Sequence, residues 1–392
     1  MKLLYIHNTT LESQKSNMIQ VLYMCDAFHS LGVDVTLALP EKGTPIGDNA
    51  IAREVEQKIG RSNQYEIIIF PKLMLGNHLH SIGGYWGVKR LLQQVAADVC
   101  FVRSPQFLSL AVAAGMKTIY ESHNSLLHNR YRALDVLWRA RVLHCSKANN
   151  LIKFISISQA LTDFWIEKGV PADKCLSLHD SIDSTAFQNT LSQPEARKQL
   201  HLPGKAKVAL YAGSLYKDRG IENILRLAHE LPDVRFIILG GPEDRRRYFE
   251  AQARAEQLQN IVLPGWVSKE KVRTYLFAAD VLLLLFTDKV PTINYCSPLK
   301  MFEYMACGRA IVGHAFPTIT EVLQHEVTAY LASPSDFEDL LRNVQRALVE
   351  QQALSMAEQA RKLALDKYTW LRRAETALQD LGVINSKFEL AA

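Results

Sequence analysis

Short apolar runs rich in β-branched residues alternate along this chain with longer segments whose apolar positions recur at helical spacing. The series opens with a strand over Lys2 to His7, a helix over about Ser16 to Leu31 and a strand over Asp34 to Leu39. Glu66 to Phe70, Val99 to Arg103, Thr118 to His123, Phe154 to Ser158 and Cys175 to His179 continue it. These runs do not alternate apolar with polar positions, which predicts strands buried on both faces in a parallel sheet covered by helices. Around Asp183 to Pro203 the strand signal lapses. It resumes at Val208 to Ala212 and runs on through Arg235 to Leu239, Ile261 to Leu263, Val281 to Phe286 and Ala310 to Gly313, with helices such as Gly220 to Glu230, Ser297 to Ala306 and Thr318 to Gln324 between. The pattern predicts an α/β protein of two Rossmann-like, doubly wound halves. We place the first domain at residues 1–185, a linker at 186–206, the second domain at 207–365, and a helix crossing back towards the first domain at 366–392.

Composition narrows the function. The 392 residues are 48% hydrophobic, enough for two cores, and a balance of 45 Lys+Arg against 40 Asp+Glu argues against a dedicated nucleic-acid partner. Six cysteines without a C-x-x-C pair suggest neither a disulfide framework nor a zinc site, and fit a reducing compartment. The first strand begins at Lys2 with no export leader before it, and Val281 to Phe286, the most apolar run, is far shorter than the roughly 20 residues that span a bilayer. A cytoplasmic protein, peripheral to a membrane at most, is expected.

Ligands of doubly wound sheets sit at the carboxyl ends of strands, and two such sheets facing each other would enclose a central cleft. In Tyr211-Ala212-Gly213-Ser214-Leu215-Tyr216-Lys217-Asp218-Arg219-Gly220, a strand ends in glycine, a basic loop follows and a helix begins. Such a turn is an anion cradle, because free N–H groups and the helix dipole favour phosphate. Lys217 and Arg219 would add full charges; an ordinary turn with scattered cations is the alternative. Further on, Ser297 can cap a helix whose first position suits Pro298, and Gly308 can end it. Lys300 in the first turn is opposed by the helix dipole and so calls for an anion. Glu303, one turn on, could accept both hydroxyls of a ribose, or pair with Lys300 on a solvated face.

The pairing of Gly213-Ser-Leu-Tyr-Lys-Asp-Arg-Gly-Ile-Glu222 with Ser297-Pro-Leu-Lys-Met-Phe-Glu-Tyr-Met-Ala-Cys-Gly308 resembles the donor half of glycosyltransferase family 4, also called glycosyl transferases group 1. Pro317 to Val322 and Tyr368-Thr369-Trp370 are similar to later parts of that family, so the resemblance covers nearly the whole chain. It implies the GT-B fold, an acceptor-binding first domain, a donor-binding second domain, and retaining transfer of a hexosyl unit from a nucleotide-diphosphate sugar to an acceptor hydroxyl. UDP is the first expectation for the nucleotide and GDP the second. The family's glutamate for ribose matches Glu303, while the opening glutamate of its E-x7-E motif falls on Tyr295, beside Cys296 at the expected donor-sugar position. Its paired cations fall on Ser214 and Arg219, so one charge is missing, and Lys300 or Lys217 is the candidate replacement. A family histidine that touches the transferred sugar matches His123, for which a local hydrogen-bonding role is the alternative. His123, Arg219 and Lys300 are thus the implied catalytic residues. Gly213, Ser214, Lys217, Arg219, Ser297, Pro298, Leu299, Lys300 and Glu303 are the implied nucleotide contacts.

No cofactor and no metal is implied, since fixed cations and amides would neutralise the departing diphosphate. The implied acceptor is a glycan, a lipid-linked sugar or a small molecule, in glycan, glycolipid or cell-envelope polysaccharide synthesis. Asn129 to Lys147 mixes Arg130, Arg132, Arg139, Arg141 and Lys147 with Leu134, Leu137, Trp138 and Leu143, which suits an ordinary surface helix or an interfacial one on the cytoplasmic membrane face. The competing readings are a nucleotide-sugar epimerase, which would alter the donor without an acceptor, and an inactive GT-B scaffold that only binds sugar nucleotide.

Overall fold

A computed structural model describes residues 1–13, 16–41, 47–71, 80–127, 132–188, 190–204, 206–216 and 218–381. The chain divides into two compact units, Met1–Asp180 with Trp370 onwards, and Ser181–Thr369. The first unit contains β1 (Lys2–Ile6), α1 (Ser16–Ser30), β2 (Asp34–Pro40), α2 (Asp48–Ile59), β3 (Glu66–Phe70), α3 (His80–Gln94) and β4 (Val99–Val102). It continues with α4 (Pro105–Ala113), β5 (Thr118–Ser122), α5 (Arg132–Ser146), β6 (Leu151–Ser156), α6 (Gln159–Glu167) and β7 (Cys175–Ser177). The strands form one parallel sheet in the order β3-β2-β1-β4-β5-β6-β7. Apolar side chains fill both of its faces, as the unbroken hydrophobic runs require. Tyr5 of β1 stacks on Phe101 of β4 with ring centroids 4.6 Å apart, and the buried Trp165 donates to Ser122 Oγ at 2.9 Å.

The second unit contains α7 (Gln193–Gln199), β8 (Lys207–Ala212), α8 (Ile221–Glu230), β9 (Val234–Leu239), α9 (Glu243–Ala255), β10 (Ile261–Gly265), α10 (Lys269–Ala278) and β11 (Val281–Leu284). Then follow α11 (Leu299–Cys307), β12 (Ala310–His314), α12 (Pro317–Thr320), β13 (Tyr330–Ala332), α13 (Phe337–Val349) and α14 (Gln352–Lys367). Its parallel sheet has the order β10-β9-β8-β11-β12-β13. Along β8, Val208 and Leu210 belong to one core and Ala209 and Tyr211 to the other, so each strand face is buried under its own layer of helices.

Two expected boundaries shift. Residues 186–206 are part of the second unit: Phe187 and Ala196 are buried in its core, and Ser192 and Glu195 form a capping box that starts α7. Arg197 in α7 is buried, donating to the carbonyls of Ala278 (3.0 Å) and Gly204 (2.8 Å) and pairing with Asp280 at 2.6 Å. The polarity of this stretch is thus capping and ion-pair chemistry, and the division between the units lies at Asp180/Ser181. The helix expected from residue 366 onwards is also broken. Helix α14 stops at Lys367, the Tyr368 carbonyl accepts from Ile182 N–H at 2.9 Å, and Thr369 bridges Ile182 before α15 (Trp370–Leu378) begins. Helix α15 belongs to the first unit, where Trp370 stacks on Tyr23 of α1 at 5.9 Å. The remainder of the expected crossing segment, residues 382–392, lies outside the described residues.

Candidate functional site

In the second unit the strand order reverses between β8 and β11, so the loops after these strands flank the switch point where open parallel sheets take ligands. The loop after β8 turns sharply at Gly213 and returns to Gly220, whose left-handed φ of 78° caps α8. Its packing depends on the next loop. A Cβ at Gly240 would stand 2.5 Å from the Gly213 carbonyl, and Gly240 has a left-handed φ of 98°, so only glycine lets the two turns touch. Sequence reasoning passed over Gly240, although a Gly-Gly pair directly after an apolar strand is a visible signal of close backbone approach. Thr287, after β11, ties the loops together by donating from Oγ1 to the Asp218 carbonyl at 2.8 Å.

Two cations meet here. The Lys300 ammonium lies 4.2 Å from the Tyr211 ring centroid and 4.4 Å from that of Phe286, while the Arg219 guanidinium lies 5.8 Å from the same Phe286 ring. Neither is paired with a carboxylate among the described residues. Burial, and then the charge of Arg219, bring Lys300 down to about 7. Two like charges gathered around one aromatic ring favour an anion beside them, which makes this the candidate anion site of the unit. Ser214 is half-buried, and its carbonyl accepts from the Tyr211 hydroxyl at 3.0 Å. Lys217 lies outside the described residues.

Helix α11 begins at Leu299 with Pro298 as its N-cap residue and no side-chain capping bond. This corrects the expectation that Ser297 caps it and Pro298 occupies its first turn: proline at the cap holds extended backbone, and the first-turn amides of Leu299 and Lys300 lack helical partners. Tyr304 fixes the helix to β8, its hydroxyl accepting from Ala212 N–H at 2.8 Å. The alternative pairing of Glu303 with Lys300 does not form. Lys300 turns to the aromatic rings, and the cations acting on Glu303 are Lys269 and Arg273 of α10. Surrounding protein raises the Glu303 carboxyl, these two cations oppose the rise, and the side chain itself is exposed. Tyr295 is 9% exposed and Ser297 is buried, while Cys296 is half-buried against the core. Tyr295 therefore has little surface to offer a sugar.

His123 belongs to the first unit, in a buried group that sequence reasoning saw only in part. The order of that sheet reverses between β1 and β4, which are followed directly by His7 and Arg103, and β5 ends beside them. Glu121 has no exposure; its Oε1 lies 3.2 Å from Arg103 Nε and 2.5 Å from His123 Nε2, and its Oε2 accepts from Arg373 Nη1 at 2.8 Å. The Arg103 Nε contact is an ion pair rather than an aligned hydrogen bond. Arg103 also donates from Nη1 to the Asn17 carbonyl (3.1 Å) and from Nη2 to Gln20 Oε1 (2.6 Å). Burial opposes a charged Glu121, yet Arg373, His123 and Arg103 hold its carboxyl well below the ordinary range. Burial and Arg103 bring His123 down to about 4, so its ring is neutral at pH 7 and a weak base. Arg103 Nη2 stands 2.6 Å from His123 Nε2 and 3.2 Å from Nδ1; with Glu121 ionised, the assigned tautomer donates Nε2–H to Glu121 and leaves Nδ1 to accept from Arg103. His7 is buried with no partner for either ring nitrogen among the described residues. Arg103 could have been suspected as a cation ending an apolar strand; nothing local marks Arg373.

Comparison with known proteins identifies the family of the two halves. Residues 19–185 match the model for Glycosyltransferase Family 4, and residues 192–363 match that for Glycosyl transferases group 1. The chain is 25% identical over 314 residues to lipopolysaccharide 1,2-N-acetylglucosaminetransferase of Salmonella typhimurium, covering 74% of this chain and 80% of that protein. Its fold is similar to sucrose-phosphate synthase of Thermosynechococcus elongatus, with a TM-score of 0.75 at 16% identity over 96% of this chain and 97% of that one. It is likewise similar to Anabaena HepE in complex with UDP-glucose, with a TM-score of 0.73 at 17% identity over 97% and 99%. With a family 4 first half and a group 1 second half, each on its own parallel sheet, this chain belongs to the GT-B glycosyltransferases of family 4.

Proposed function

We propose that this glycosyltransferase moves a hexosyl unit from a UDP-sugar to a hydroxyl of a glycan or lipid-linked acceptor, with retention of the anomeric configuration. The observation that carries the reading is the pair of cations, Arg219 and Lys300, gathered on Phe286 at the β8/β11 switch point with no carboxylate paired to them among the described residues. A diphosphate gains charge as it leaves the sugar, so cations and first-turn amides fixed in advance stabilise the transition state more than the bound substrate. Glu303 would accept the ribose hydroxyls, and His123 would meet the transferred sugar. A histidine brought down to about 4 is a poor general base for the acceptor. That favours proton transfer to the departing phosphate on the face of attack, and so retention. No cofactor or metal is assigned a part in these steps. The UDP-glucose held by the Anabaena neighbour and the Salmonella relative's name as a lipopolysaccharide N-acetylglucosaminetransferase support the donor and acceptor classes.

Glu303→Ala should weaken UDP binding by about 1 to 3 kcal/mol, the cost of hydrogen bonds lost to a charged group. Titration calorimetry against UDP and GDP checks both the ribose contact and the choice of base. An unchanged dissociation constant removes Glu303 from the site, and binding of neither nucleotide defeats the reading.

Helix α5 supports an acceptor presented at a lipid surface. Leu134, Val136 and Leu137 are 45%, 58% and 55% exposed, and Arg141 is exposed and Arg139 half-buried on the same helix. Apolar side chains framed by cations suit a headgroup interface. Among the described residues no helix is long and apolar enough to cross a membrane. Sedimentation with vesicles containing phosphatidylglycerol should carry the protein down at low salt, and Leu134→Ser with Leu137→Ser should release it. Equal sedimentation of that variant would place the contact elsewhere.

A further inference from the structure

Arg373 reaches Glu121 across 252 residues of sequence, from the last described helix to the end of β5. It is 3% exposed and fully engaged: Nε donates to the His179 carbonyl at 2.9 Å, Nη2 to the Leu178 carbonyl at 3.2 Å, and Nη1 to Glu121 Oε2. The stacking of Trp370 on Tyr23 anchors the start of the same helix. Each oxygen of Glu121 therefore has a separate task, Oε2 held by Arg373 and Oε1 shared between Arg103 and His123.

We propose that Arg373 and Glu121 are positioning residues for His123: Arg373 pins the carboxylate at the end of β5, and the carboxylate holds the imidazole as its Nε2–H tautomer, with Nδ1 turned to the Arg103 guanidinium and the ring fixed in orientation. This rests on the proposed part of His123 in transfer. Without Arg373, the carboxylate is free to turn its second oxygen to the Arg103 fork, the preferred bidentate partner, and His123 loses its fixed partner at Nε2. A ring that exchanges tautomers offers a donor and an acceptor by turns, which spoils the orientation transfer requires. The helix that follows the donor unit in sequence thus completes the sugar-facing group of the first unit.

The test uses the full chain labelled with ¹⁵N-histidine, the His123 resonances being assigned by their loss in His123→Gln. In the wild type and in Arg373→Lys, which retains a donor to Glu121, the ring nitrogens should show the Nε2–H tautomer. In Arg373→Met they should show a mixture, with kcat for transfer down about 10- to 100-fold, the usual cost of losing a group that orients a functional imidazole. The KM for donor should not change. If Arg373→Met fails to fold, the double variant Glu121→Leu, Arg373→Met removes both buried charges and should show the same tautomer mixture. A folded variant of either kind with His123 still fixed as Nε2–H, or with unchanged kcat, overturns the proposal. The tautomer readout needs no donor. A wild type that transfers no sugar but shows these shifts defeats the transfer reading and leaves the positioning intact.

Discussion

Lys300→Met should lower kcat for donor-dependent transfer about 10²- to 10³-fold, the range seen when one fixed group facing transition-state charge is removed, with little change in melting temperature. Methionine keeps an unbranched stem over Tyr211 and Phe286, so the aromatic packing that holds Lys300 survives while the charge is lost. The free enzyme supplies a second signature. Burial and Arg219 bring Lys300 down to about 7, and only the protonated form neutralises phosphate. The wild-type kcat/KM should therefore fall as pH rises through about 7. Bound diphosphate favours the ammonium form, so the matching limb in kcat should lie at higher pH. Both limbs should vanish in Lys300→Met. If the variant turns over at the wild-type rate, or keeps the alkaline limb in kcat/KM, the charge on the leaving group is met by something other than Lys300.

Most of the fold was legible because parallel strands buried on both faces leave unbroken apolar runs, and Val208 to Ala212 and Val281 to Phe286 stand out wherever they occur in a chain. The basic loop after β8 was legible for a related reason: glycine, cation and helix start follow one another within ten residues of β8. Legibility failed where polarity served a tertiary purpose. Ser192, Glu195 and Arg197 look like solvated linker residues, yet they cap a helix and pair with the buried edge of β11 through Asp280. Tyr330 to Ala332 is too short a run to announce a strand, and it becomes one only against β12. Glu121 and His123 lie two residues apart on one strand end and were visible together. Their arginines were not, because Arg103 reads as the tail of β4 and Arg373 as one of several cations on a surface helix. Burial of a charge is decided by partners that may be hundreds of residues away, and local pattern carries no record of them.

Asp180→Asn should stabilise the first unit, and by an amount that grows with pH. Asp180 is 6% exposed and takes a hydrogen bond from Gln20 Nε2, which links it to Arg103 through the same glutamine. Burial raises its carboxyl from 3.8 to about 7; Arg373 opposes this, and Glu121 adds to it. A folded pKa above the unfolded one means that the native state prefers the protonated form. Its contribution is complete below about pH 4 and is lost as pH rises through about 7, leaving a penalty of about 4 kcal/mol at pH 8. Glu121 has the opposite sign, since its carboxyl is held down and its contribution is lost as pH falls. Asparagine copies the neutral form of Asp180 and still accepts from Gln20. The gain in unfolding free energy should therefore rise from under about 1 kcal/mol at pH 4 to about 4 kcal/mol at pH 8. Urea unfolding followed by tryptophan fluorescence reports on the right unit, because Trp86, Trp138, Trp165 and Trp370 lie in it and Trp266 of the other unit is 80% exposed. A gain that is flat across this range would show that Asp180 keeps an ordinary carboxyl pKa in the folded protein, and that near neutral pH the Arg103–Glu121–Arg373 group carries a second buried anion.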